Sequence, residues 1–319
     1  MDPLSNVLSL LKPRSYAAGG FRFAGDMAIH WPKHQGIKCY AILSGECWLS
    51  VEGVPEPVLL TSGDCFLLPR GLPFRLATDL SLKPVDFDPL LLVRTPDAAS
   101  EDDREGRYIV GGHFILTGSH ADFLLRSLPP IVHLRNDRDR SAMRWSLERM
   151  REELREPQPG GSLIAQQLAY VMLVQALRLH LADAANDGIG WLFALADKQL
   201  NAAITGMHDD PGHPWTLQKL AGRAGMSRSI FALRFKETVG ETPMEYLTRW
   251  RMLLAGDRLD NSTDSISAIA SSLGYESESA FGKAFKRVMG SSPRQYSRRS
   301  NPSLPASTFD HQHRSERLA

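Results

Sequence analysis

Two short runs near the C-terminal end carry side chains suited to touching the edges and backbone of stacked bases. The first contains Arg228, Ser229, Ala232, Leu233 and Lys236, and the second Glu278, Ser279, Lys283, Lys286 and Arg287. Hydroxyl, ammonium and carboxylate groups can pair with base edges: Lys283 toward guanine, Glu278 toward a cytosine amino group, Ser229 and Ser279 toward either partner. Ala232 and Leu233 offer methyl groups, whose natural counterpart is the thymine methyl. Arg228, Lys236, Arg249, Arg251, Lys286 and Arg287 are candidates for phosphate oxygens, which fix position without reading sequence. Glu278 has a second reading, as an anion favoured at the positive end of its helix.

These runs need a frame, and the chain repeats one. Leu220-Ala221-Gly222-Arg223-Ala224-Gly225-Met226-Ser227 is followed by Phe231, Phe235, Gly240, Pro243 and Tyr246. Ile269-Ala270-Ser271-Ser272-Leu273-Gly274-Tyr275-Glu276-Ser277 is followed by Phe281, Phe285, Gly290, Pro293 and Tyr296. The later positions recur at a spacing of 50 and the turn glycines at 49, so the second copy has one extra residue after its turn. Small Ala221 and Ala270 suit steeply crossing helices, Gly225 and Gly274 suit a turn with positive φ, and Ser227 and Ser277 suit an N-cap. Phe231/Phe235 and Phe281/Phe285 lie four apart and face a core, leaving the opposite helix face free. A helix from Pro243 to about Leu259 joins the copies. Roughly seventeen residues at ~1.5 Å make a rod of about 25 Å, suited to two recognition helices one DNA turn of about 34 Å apart.

This duplicated pattern, over about Trp191 to Arg299, resembles the DNA-binding domain of the AraC/XylS family of transcription regulators. Trp215-Thr216-Leu217, Gly225-Met226-Ser227-Arg228-Ser229, Gly274 through Phe281 and the Gly290-x-x-Pro293-x-x-Tyr296 ending carry the likeness. It implies double-stranded promoter DNA as partner, and RNA polymerase if the chain activates. Family members often carry a polar or basic residue near Leu233, so its presence here implies apolar readout by the first copy.

Charge is distributed accordingly. Residues 191–300 hold 15 Lys and Arg against 11 Asp and Glu, whereas residues 1–190 hold 20 against 23. A mildly basic rear half suits moderate attraction to phosphates rather than indiscriminate coating of DNA. The run Leu163 to Leu181 is broken by Gln166, Gln167, Gln175, Arg178 and His180, so no membrane span is expected. With no signal-peptide pattern and three scattered cysteines, a cytoplasmic location is expected.

The front half reads as short strands: Ile37–Leu43, Cys47–Val51, Pro57–Leu60 and Cys65–Leu68, separated by Gly-containing turns. Gly63-Asp64-x4-Pro69-x-Gly71 and Gly45-Glu46-Cys47-Trp48 resemble cupin motifs, and with Gly111-Gly112-His113-Phe114 and Leu128-Pro129-Pro130 imply the cupin sensor domain of one AraC-family branch. Its effector would be a small molecule or an oxidant. Metal-binding cupins use a His-x-His pair, which is missing, and Phe74 stands where a third His would fall. His30, His34 and His113 remain as ligand or metal candidates, and no cofactor is assigned. Cys39, Cys47 and Cys65 read either as redox sensors or as small apolar fillers.

A polar helical stretch, Ser141–Glu156, precedes a helix from Ser162 to about Ala182 with a broad apolar face, buried either on its own barrel or against a second subunit. The family resemblance implies the latter, a homodimer. The expected class is α+β: a cupin-like β-barrel or sandwich (1–135), a helical dimerisation segment (136–187), an all-α domain of two helix-turn-helix units joined by a linking helix (188–300), and a disordered tail (301–319). Asn186-Asp187-Gly188 would be the hinge. The expected function is sequence-specific transcription regulation without catalysis. The competing readings are a cupin oxygenase or isomerase fused to a DNA-binding domain, and a helical protein adaptor.

Overall fold

A computed structural model describes residues 2–11, 14–23, 25–87, 106–115, 128–135, 137–156, 158–183 and 190–300. The hinge at Asn186–Gly188 and the tail from Asn301 lie outside the described residues. After helix α1 (Pro3–Leu11) the described residues include ten strands: β1 (Arg14–Phe23), β2 (Ala28–Trp31), β3 (Ile37–Ser44), β4 (Glu46–Val51), β5 (Val58–Thr61), β6 (Cys65–Leu68), β7 (Phe74–Ala77), β8 (Val85–Asp86), β9 (Arg107–Ile115) and β10 (Val132–Leu134). They form two five-stranded sheets, ordered β1-β9-β3-β6-β10 and β5-β4-β7-β2-β8.

The two sheets enclose one apolar interior, to which Phe21, Trp31, Ile42, Leu49, Phe66, Phe74 and Ile109 contribute. Trp31 stacks on Phe74 and Phe87, with ring centroids 4.8 and 5.0 Å apart. Burial of side chains this large contributes about 1.5–3 kcal/mol each. Strand parity decides what points inward. Tyr40 and Ile42 pack in the interior, so Cys39 and Ala41, alternating with them, face outward and are nonetheless fully buried. A sheet covered on both sides has no polar face, which is why β3 reads as an almost continuous apolar run.

The outward cover is helical. Helix α2 (Asp137–Arg155) packs against α3 (Gly161–Asp183), and α3 lies on β1, β3, β6, β9 and β10. Ala165, Leu168, Ala169, Met172, Leu173, Ala176 and Leu177 are its buried side. A Cβ on Gly112 would sit 2.9 Å from the Ala169 Cβ, so the backbones approach closely there. Length and composition alone would let α3 cross a membrane, which the sequence reading did not expect. The packing shows the apolar face divided: most of it covers the sheet, while Leu163, Ile164 and Val171 stay exposed, as does Trp145 on α2.

The remaining helices are α4 (Trp191–Ala194), α5 (Lys198–Asp209), α6 (Leu217–Arg223), α7 (Arg228–Val239), α8 (Pro243–Asn261), α9 (Ile266–Ser272), α10 (Glu278–Met289) and α11 (Pro293–Ser300). Contacts divide the chain into two compact units. One takes the barrel, α1–α7 and the start of α8; the other takes Asp210–Pro214 and the chain from Tyr246 onward. In the first, α1 packs on α5 and α4 on α7.

Candidate nucleic-acid interface

Each helix-turn-helix is built by local hydrogen bonding that the sequence encodes. Thr216 caps α6 by accepting from the Lys219 amide at 3.2 Å. The helix closes with Gly225 at φ +65°, where Gly225 N donates to the Gly222 carbonyl and Met226 N to the Ala221 carbonyl. This paired closure satisfies carbonyls that a helix end otherwise leaves open. The second copy repeats it: Gly274 at φ +78°, Gly274 N to Ser271 and Tyr275 N to Ala270. The extra residue, Glu276, therefore falls after the closure and lengthens only the approach to the next helix.

Ser227 and Ser277 then cap α7 and α10, accepting from the Ile230 and Ala280 amides. Phe231 and Phe235 are fully buried, as are Phe281 and Phe285, with centroids 5.5 and 5.7 Å apart within each pair. The likeness continues past both helices. Thr242 and Glu245 exchange hydrogen bonds ahead of α8, and Ser292 and Gln295 do so ahead of α11.

Anchoring the phenylalanines turns the other face outward. On α7, Arg228, Ser229, Leu233 and Lys236 are exposed and Ala232 is half-buried; on α10, Glu278, Ser279, Lys283, Lys286 and Arg287 are exposed. Glu278 has Arg294 3.7 Å away on α11. The sequence reading overlooked Ile230, which is 59% exposed one turn before Leu233. Three-residue spacing from Leu233 would have found it. The two faces thus differ: α7 presents Ile230 and Leu233 beside Arg228 and Lys236, its third basic residue, Arg234, being paired with Asp197, and α10 presents Lys283, Lys286 and Arg287.

Arg251 is a correction. It was expected on phosphate, but its Nε and Nη2 donate to the Pro211 and His213 carbonyls at 2.6 and 2.9 Å, and the group lies over the Tyr275 ring. It holds Asp210–Pro214 in place. Arg249 is half-buried on α8. Arg234, on α7, pairs with Asp197 and also donates to Gln199, securing α7 to the start of α5.

In the barrel the three candidate histidines do not converge. His30 alternates with inward Ile29 and Trp31, and its Nδ1 lies 3.0 Å from the exposed Asp86 carboxylate. His34 and His113 are neighbours, with ring centroids 5.6 Å apart. Among the described residues no three His, Cys, Asp or Glu side chains come together as a metal site. Two imidazoles without a carboxylate do not fit the ligand set of a metal-dependent cupin.

The three cysteines lie in the barrel sheets. Cys39 and Cys65 touch beneath α3, and Cys47 lies inside the barrel; all three are buried. The Cys65 contact and burial hold the Cys39 thiol well above its usual range, and burial pushes Cys47 up to about 12. A thiol sensor needs exposure and a depressed pKa, and none of the three is exposed.

Sequence reasoning missed the hub at Asp64. This residue is 2% exposed, and its carboxylate accepts from the Thr61 amide (2.9 Å) and hydroxyl (3.2 Å), His133 Nε2 (3.2 Å) and Arg140 Nη2 (2.8 Å). It joins the β5–β6 turn to β10 and α2. Burial works against its charge, but these donors outweigh it and hold the carboxyl below the usual range.

A cupin family model matches residues 2–182, and a helix-turn-helix domain model matches residues 220–299. An AraC-like transcription regulator of Streptomyces antibioticus is 40% identical over 303 residues, covering 95% of this chain and all of that one. The transcriptional regulator AlkR of Acinetobacter baylyi is 30% identical, covering 94% of this chain and all of its own length. The RCS-specific transcriptional activator RclR of Escherichia coli is 30% identical, with 94% and 98% covered.

Proposed function

The chain belongs to the AraC-like transcription regulators, with a cupin domain ahead of a DNA-binding helix-turn-helix domain, and from that premise we propose how it reads DNA and what its front half does. Helices α7 and α10 enter major-groove segments of one operator. Ser229, Ala232, Leu233 and Ile230 read the first segment largely by apolar contact, and Glu278, Ser279 and Lys283 read the second through hydrogen bonds. Arg228, Lys236, Arg249, Lys286 and Arg287 hold phosphates. The observation carrying this reading is the pair of N-capped helices whose outer faces are exposed while their phenylalanines are buried.

Residues 1–135 sense a small molecule, 136–187 supply the helical segment, and 188–300 bind the operator. The exposed Leu163, Ile164 and Val171 on α3, and Trp145 on α2, support assembly as a homodimer, since large apolar side chains left exposed are often covered by a partner. An effector acts by binding one arrangement of the domains more tightly than another. If the chain activates, RNA polymerase is a further partner.

Selection of genomic fragments by the purified protein, with and without candidate effectors, tests the reading. Enrichment of fragments containing a direct repeat of half-sites is expected; a pool no different from bulk competitor defeats it. Leu233→Ala is expected to cost about 1 kcal/mol on the preferred site and less on a site whose thymines are replaced. Equal losses on both sites would remove apolar readout. Lys286→Ala and Arg287→Ala are each expected to weaken all sequences alike and flatten the log–log salt slope by about one unit. An unchanged slope would take these residues off the phosphates.

A further inference from the structure

We propose that the barrel interior around Lys38 is the effector site and that it takes a small organic carboxylate with a flat apolar body. This rests on the reading of the front half as a sensor, and it assigns that sensor a ligand class.

Strand register places the group. Lys38, Tyr40 and Ile42 of β3 stand opposite His113, Gly111 and Ile109 of β9, and Ile42 and Ile109 belong to the interior. Lys38 therefore points inward, and it is only 8% exposed. Its Nζ lies 3.3 Å from the Tyr40 hydroxyl and under 6 Å from the Tyr40 and Phe74 ring centroids. Among the described residues no carboxylate pairs with it. An ammonium held in such surroundings without a counter-charge is costly, and contacts to ring faces offset only part of that.

Its neighbours do not relieve it. His34 packs edge-on against both Phe74 and His113. Its buried ring nitrogens lie near backbone carbonyls but make no hydrogen bond of good geometry. Buried polar atoms left so call for an explanation, and a ligand supplies one. Burial lowers the Lys38 pKa to about 8; burial, with Lys38 and His113 nearby, lowers that of His34 to about 4. An anion seated between them reverses both trends.

There is also room. Gly19 stands opposite Gly111 in register, two residues along from the inward pair Phe21 and Ile109, and so faces the interior. A Cβ placed on Gly19 meets no atom within 4 Å, whereas one on Gly20, facing outward, runs into Tyr108 at 2.7 Å. Tyr40 lies directly against Gly111. This part of the inward face is therefore bare strand backbone beside an aromatic edge, which suits the flat face of a planar group. The carboxylate would accept from Lys38 Nζ and from an N–H of His34, with the ring against Tyr40 and Phe74.

The test uses the full-length protein with 2-naphthoate, benzoate and the neutral 2-naphthamide, read by thermal unfolding and tryptophan fluorescence. Naphthoate is expected to raise Tm and to bind at least tenfold more tightly than naphthamide. Its binding is expected to weaken as pH rises from 7 to 9 and Lys38 loses its proton. Lys38→Met, which replaces a buried charge by an apolar chain of similar length, is expected to unfold no earlier than wild type yet lose naphthoate binding tenfold or more. Equal binding of acid and amide, no response to pH, an undiminished shift in Lys38→Met, or no carboxylate binding in wild type would each overturn the proposal; the first, second and fourth need no variant. Operator binding by the same samples separates the two readings. Intact DNA binding with no carboxylate response sinks only the ligand, whereas no operator selection by wild type sinks the regulator reading itself.

Discussion

Gly274→Ala is expected to destabilise the second helix-turn-helix by about 3 kcal/mol or more, while Gly225→Ala costs the first only about 1 kcal/mol. Both glycines occupy the left-handed region, where a side chain adds roughly 1–2 kcal/mol. The difference comes from what surrounds them. A Cβ on Gly225 meets nothing closer than the Gln199 side-chain nitrogen at 3.9 Å. A Cβ on Gly274 falls 2.5 Å from the Gly212 carbonyl oxygen and 3.0 Å from Arg251 Nη2. That carbonyl cannot step aside cheaply, because Arg251 grips the carbonyls on either side of it, at Pro211 and His213. The strain must pass into the α9–α10 turn and the phenylalanine core behind it. Urea unfolding, with hydrogen exchange of the Phe281 and Phe285 amides, measures both variants. Equal costs at the two glycines would show that the packing around Gly212 is soft.

That asymmetry also marks where sequence reading reaches its limit. The two turns, their serine caps and their phenylalanine pairs were legible because each depends on residues within about eight positions. Strand limits in the barrel were legible for the same reason: the predicted Cys65–Leu68 and the observed β6 coincide, and Ile37–Leu43 is extended by only Ser44. The role of Arg251 was not legible, because the carbonyls that engage it lie about forty residues earlier and meet it only through tertiary folding. Lys38 was hidden differently. In Ile37-Lys38-Cys39-Tyr40-Ala41-Ile42 both strand faces are covered, so no alternation announces which residues face the interior. Strand order, with β9 placed between β1 and β3, is likewise a long-range outcome. His30 was grouped with His34 and His113 by residue type, and the parity of β2 separates it.

Asp64→Ala is expected to cost the barrel about 3–5 kcal/mol at neutral pH, the range for removing one partner of a buried ion pair. All four contacts on this carboxylate are donors, so alanine leaves the Thr61 amide, the His133 ring and the Arg140 guanidinium facing an apolar methyl. Asp64→Asn fares little better, because its amide nitrogen must meet one of those donors head-on. Arg140 also donates to the Thr61 hydroxyl, which itself donates to Asp64, so the charge and the turn loosen together. The sign of the pH dependence follows from the depressed carboxyl pKa. Folded Asp64 keeps its charge to lower pH than the unfolded chain, whose value is about 3.9. The stabilisation is therefore complete above that value and is lost as pH falls through the folded value beneath it. Urea midpoints of wild type and Asp64→Asn should thus stay well apart from pH 7 to about 5 and draw together below about 4. A gap that persists undiminished at pH 3 would mean that shape and packing, rather than the carboxylate charge, bind the β5–β6 turn to α2.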